Sequence, residues 1–69
     1  MVPLVKRSFT LAGHRTSVAL EPEFWQALAA IAASRRCTMA ALVAEVDAAR
    51  GTDRPLASAL RIFALTRSR

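Results

Sequence analysis

The chain has 69 residues, a formal net charge of +5, 54% hydrophobic and 22% charged residues, one cysteine and one histidine. So short a chain has room for one domain with little interior of its own, and chains of this size commonly need a staple. One cysteine excludes an internal disulfide, no Cys/His cluster offers a zinc site, and no apolar run approaches the roughly eighteen residues of a membrane span, so a second copy of the chain is the expected staple.

The charge is uneven. Lys6, Arg7 and Arg15 meet no acid in the first twenty residues, and a dimer would carry about twice +5, which suits a polyanion. The start Met1–Val5 is too short for the apolar region of a signal peptide. A reduced, cytoplasmic setting is the expectation, with Cys37 a small hydrophobe.

In chain order, residues 1–13 form a basic arm or an extra strand. Phe9 to Ala12 is the weaker strand candidate, and Gly13-His14 could turn it back as a hairpin. From Arg15 to Leu20 the residues alternate, with Thr16, Val18 and Leu20 on one side and Arg15, Ser17 and Ala19 on the other. That is the period of a strand with one face buried. Glu21-Pro22-Glu23 ends the strand and opens a helix predicted from about Pro22 to Ser34, because proline and acidic side chains both suit a first turn. Phe24, Leu28 and Ile31 form its apolar stripe, flanked by Trp25.

Arg35-Arg36-Cys37 is a short connection. Thr38 is a good N-cap for a second helix, Met39 to Ala49, with Leu42, Val43 and Val46 on its apolar face and Gly51 as its left-handed end. Residues 51–69 read as a helical extension: a polar break with a candidate cap at Asp53, then Leu56, Leu60, Ile62, Phe63 and Leu65, running to a basic end.

Nothing here makes an enzyme. One histidine, one cysteine and scattered carboxylates form no catalytic constellation, so no catalytic residue, metal or cofactor is assigned. His14 beside a glycine reads as a solvated side chain. A helix-turn-helix reader is excluded by the second helix, whose only polar side chains between Met39 and Ala49 are Glu45 and Asp47; both would repel phosphates. The strand remains. Arg15, Ser17 and Ala19 project from one face, and a two-stranded ribbon is narrow enough for the major groove of duplex DNA.

The stretch Arg15-Thr-Ser-Val-Ala-Leu-Glu-Pro-Glu-Phe-Trp-Gln-Ala-Leu-Ala-Ala-Ile-Ala, followed by Thr38-Met-Ala-Ala-Leu-Val-Ala-Glu-Val, resembles the ribbon-helix-helix family of Arc and MetJ type. The resemblance covers about residues 14–50, and small bacterial members are also similar in a start like Lys6-Arg7-Ser8. It implies a mainly α fold and an intertwined homodimer, able to assemble as a dimer of dimers, in which two strands pair antiparallel. Arg15, Ser17 and Ala19 would then face bases. Lys6, Arg7, Arg35 and Arg36 would add phosphate contacts, with Thr38 and Met39 offering backbone N–H groups. Val18, Leu20, Phe24, Leu28, Ile31, Leu42, Val43 and Val46 would make the dimer core. Ala19 departs from the family, which usually carries a polar or basic side chain there, so it can touch a thymine methyl at most.

The expectation is a DNA-binding transcriptional regulator acting as a repressor. The alternative is an antitoxin or protein-interaction module whose C-terminal segment binds a partner protein. An amphipathic membrane binder ranks third, because the basic residues are not gathered on one helix face.

Overall fold

The computed structural model describes residues 3–67. The chain folds in the order β1 (Val5–Leu11), β2 (His14–Leu20), α1 (Pro22–Ser34), α2 (Met39–Ala49) and α3 (Leu56–Arg67). The strands form one antiparallel two-stranded sheet, joined by Ala12 and Gly13 at φ 51° and 83°. Positive φ at both central residues marks the type I′ turn, whose twist matches that of the flanking strands. Gly13 adopts it freely, whereas Ala12 carries the steric penalty of a Cβ in left-handed backbone.

β1 begins at Val5, four positions before the strand expected from Phe9. Arg7 hides it. Pairing Arg7↔Val18 puts this arginine on the inward face, where its guanidinium lies 5.2 Å from the centroid of the Trp25 ring. A cation thus occupies a place where strand alternation calls for an apolar residue. Trp25 also donates Nε1–H to the Val5 carbonyl at 2.8 Å and packs near Phe9, with ring centroids 6.0 Å apart. It anchors the start of β1 to α1.

α1 starts at Pro22 and buries Trp25, Leu28, Ile31 and Ala32. Its buried stripe is centred one residue later than expected. Phe24 is half-buried, with the Arg61 guanidinium 5.9 Å from its ring centroid. The helix ends without glycine: Arg36 takes φ 56°, its N–H donates to the Ala33 carbonyl at 3.1 Å, and the Cys37 N–H donates to the Ala32 carbonyl at 2.9 Å. This paired pattern is a Schellman cap. It turns the chain so that α1 and α2 meet at 101°.

α2 opens on Thr38, whose side chain accepts the Ala41 N–H at 3.0 Å, and Gly51 follows its end at φ 74°. Leu42, Val43 and Val46 are buried. Arg50 braces the following turn, donating to Asp47 Oδ1 at 2.9 Å and to the Arg54 carbonyl at 2.7 Å. α3 is present as expected, but its first turn is closed by the Pro55 carbonyl, which accepts the Ala59 N–H at 3.0 Å. Asp53 lies too far upstream to cap it. Leu56, Ala59, Leu60 and Ala64 of α3 are buried, while Ile62 and Leu65 stay exposed.

Within the chain, the strands and all three helices contribute to one core. Leu20, Leu28, Leu42, Leu60 and Val43 are its most deeply buried side chains, joined by Phe9, Leu11, Val18, Ile31 and Val46. At roughly 1.5–3 kcal/mol for each large side chain buried, the residues that β1 and α3 add are a substantial part of the apolar driving force. No single helix among the described residues is long and apolar enough to cross a membrane.

Candidate nucleic-acid interface

Residues directly opposite in an antiparallel pair share a face, so the register divides the hairpin. Val5↔Leu20, Arg7↔Val18, Phe9↔Thr16 and Leu11↔His14 belong to the face against the helices. Lys6↔Ala19, Ser8↔Ser17 and Thr10↔Arg15 belong to the other. Of these six outward residues only Ala19 is half-buried, the rest being exposed.

Apart from Ala19, the outward face is polar along its length. Ser8 Oγ and Ser17 Oγ share a hydrogen bond at 2.9 Å, and Arg15 Nη1 donates to Thr10 Oγ1 at 3.3 Å. Two cations and three hydroxyls lie on a strip with no acid anywhere between Pro3 and Leu20. Such a strip offers donors to base edges and phosphates without a repelling carboxylate.

Several cations elsewhere are engaged. Arg35 pairs with Glu45 at 2.8 Å and lies 5.3 Å from the Phe63 ring centroid. Arg61 pairs with Glu21 at 2.9 Å, tying α3 to the start of α1. A backbone N–H bond at Glu21, with help from the Arg61 guanidinium, holds the Glu21 carboxyl below its ordinary value of 4.5, since both stabilise the charged form.

The residues expected to bind thus fall into three groups. Arg15, Ser17 and Ala19 share one face with Lys6. Arg7 lies on the opposite face, over Trp25. Arg35, Arg36, Thr38 and Met39 lie at the α1–α2 corner, where Thr38 uses its Oγ1 and its carbonyl for the N–H groups of Ala41 and Leu42. The N–H groups of Met39 and Ala40 are left without an intrahelical acceptor.

Ser8 and Thr10 were missed by sequence reasoning. Their signal was the polar alternation Lys6-x-Ser8-x-Thr10, visible once apolar alternation is not demanded of the other face.

A family model described as a ribbon-helix-helix domain matches residues 4–68. The chain belongs to the ribbon-helix-helix domain family, a class of DNA-binding modules that are typically non-enzymatic and generally bind DNA as dimers. No curated protein and no solved structure matches it.

Proposed function

We propose that this protein is a sequence-specific transcriptional regulator, acting as a repressor, that binds duplex DNA as a homodimer in the cytoplasm. The observation that carries this reading is the acid-free outer face of the hairpin, where Lys6 and Arg15 flank a row of hydroxyls. Arg15 supplies most of the base discrimination and Ser17 a smaller share. Lys6, Arg36 and the open N–H groups at Met39 and Ala40 contribute phosphate contacts, which set affinity rather than sequence preference; Arg7, turned to the other face over Trp25, contributes less. Arg35 contributes less, because Glu45 already neutralises it.

Fluorescence anisotropy against duplex DNA from around the protein's own gene, and against a shuffled duplex, tests the reading. Preference for the native duplex supports it; equal binding to both leaves a nonspecific DNA binder, and no binding to either removes DNA as the partner.

A second reading, a protein-interaction module, is favoured by an open groove of about 320 Å³ between α2 and α3. Val46, Ala49, Ala59, Ile62 and Phe63 give it an apolar floor, with Arg50, Arg54 and Arg67 and one acid, Glu45, which Arg35 pairs, also lining it. Those cations fit an acidic, apolar segment of a partner protein. Affinity for DNA falls steeply with salt, by about 0.9 log units per phosphate contacted for each log unit of salt, whereas an apolar protein interface responds weakly.

A further inference from the structure

We infer that the groove between α2 and α3 docks an acidic amphipathic helix of a partner protein, whose apolar side chains rest on Ile62 and Phe63 and whose carboxylates meet Arg54 at one end and Arg67 at the other. The inference deepens the protein-interaction reading above and rests on it, not on DNA binding.

Exposure is the first ground. α3 buries Leu56, Leu60 and Ala64, yet its Ile62 is 40% and its Leu65 62% exposed. These two lie three positions apart and so are neighbours on the helix surface. Ile62 lines the groove beside Val46, Ala49 and Phe63. An apolar floor of this kind, rimmed by charged side chains, marks a surface that a partner covers.

Charge is the second ground. Arg54 and Arg67 both line the groove, one just before α3 and the other its last residue. The helix between them spans about 18 Å at about 1.5 Å per residue. Among the described residues neither is in an ion pair, and Arg67 lies over the Phe63 ring at 5.4 Å from its centroid. The groove's own acid, Glu45, is already neutralised by Arg35. A helix of about twelve residues covers the same span, with apolar side chains at i, i+3, i+4 and i+7 for the floor and carboxylates near its ends for the two arginines.

The third ground is what this chain lacks. Three of its acids, Glu21, Glu45 and Asp47, are held in ion pairs. The others are Glu23, in the first turn of α1, and Asp53, beside Arg54 itself. No single segment of a second copy therefore brings two free carboxylates flanking apolar residues. A two-fold contact would instead set the groove against itself, arginine facing arginine. A phosphate backbone brings anions but no apolar face for Ile62 and Val46. No hairpin residue lines the groove, so a partner seated there leaves the outer face of the hairpin open.

The test is selection by the full chain from a displayed library of random helical peptides, followed by anisotropy of a labelled selected peptide with Ile62→Ser, Arg54→Ala, Arg67→Ala and Arg67→Glu, each first checked for an unchanged thermal melt. The enriched peptides are expected to be acidic, with an apolar stripe at helical spacing. Ile62→Ser should weaken binding about tenfold or more, and each arginine-to-alanine variant by about three- to tenfold. Lysines in place of the peptide's carboxylates should restore binding to Arg67→Glu. Peptides that bind every variant as tightly as the parent would overturn the inference and leave a protein-interaction role on another surface. Displacement of the peptide by a short duplex would give these cations to nucleic acid, and a changed oligomeric state of Ile62→Ser in sedimentation would make a second copy the occupant; either result overturns the inference. A library that never enriches would overturn the protein-interaction reading as well.

Discussion

The hairpin and the helical body treat charge in opposite ways. In the body, three arginines are paired with acids: Arg35 with Glu45, Arg50 with Asp47 and Arg61 with Glu21. Each pair joins two places in the chain, namely α1's end to α2, α2 to its own end, and α3 to the start of α1. On the hairpin, Lys6 and Arg15 have no acid within the two strands; Lys6 lies across from Ala19, and Arg15 donates to the Thr10 hydroxyl. The paired cations of the body hold the fold, and Lys6 and Arg15 on the outer face of the ribbon are left for something outside it. Exposed pairs contribute little to stability, about 0–1 kcal/mol each, so the pairing in the body matters as much for hiding charge as for strength.

This contrast can be broken from either side. The largest expected effect is in the body: Leu60→Ala, at a position with no exposure, should destabilise by about 2–5 kcal/mol in urea unfolding. A loss well below about 1 kcal/mol would make α3 a detachable extension instead of part of the core. On the ribbon, Arg15→Ala should cost about 1–3 kcal/mol of binding at a matched duplex while moving the unfolding free energy by less than about 0.5 kcal/mol, as exposed substitutions usually do. If both quantities move together, Arg15 belongs to the body after all.

Two backbone positions sharpen the comparison. Arg36→Gly and Ala12→Gly each relieve a side chain held in left-handed backbone, and each should raise stability by up to about 1 kcal/mol, seen as a higher midpoint in thermal unfolding. Only Arg36→Gly removes a proposed phosphate contact, so it alone should also lower the salt dependence of DNA binding.

The smallest effect is electrostatic. The Glu21 carboxyl titrates lower in the folded chain than its ordinary 4.5, so its contribution is present above that value and is lost as pH falls through the lowered one. Arg61→Ala removes one of the causes. The variant should therefore show a shallower loss of stability below about pH 4.5 in acid unfolding, and an unchanged profile would leave the shift to the backbone bond alone.

Much of this fold was legible in the chain. α1 and α2 announce themselves by apolar spacing and by boundary residues with clear physical roles, Pro22, Thr38 and Gly51. The outward set Arg15, Ser17 and Ala19 followed from period-two alternation, and the register bears out their common face. β1 was obscured because its inward positions include Arg7, whose apolar cover is a ring eighteen positions away that no local window contains. Phe24 and Trp25 exchanged burial for the same kind of reason: the choice between adjacent aromatics is made by β1 and Arg61, both distant in sequence.

Part of the apolar excess that called for a staple meets its own chain. Phe9 and Leu11 of β1 and Leu56, Leu60 and Ala64 of α3 cover the helices from inside the same chain. Composition shows an excess of apolar residues; it cannot say whether they meet their own chain or another copy.

The most direct test is a titration of the isotope-labelled protein with a short duplex, following the backbone amide signals by NMR. We expect the largest shifts at Lys6, Ser8, Thr10, Arg15 and Ser17, with a smaller group at Arg36 to Ala40 and little change along α3. Shifts concentrated at Ile62, Phe63 and Arg67, with the hairpin unmoved, would contradict the account and give the binding role to the α2–α3 groove.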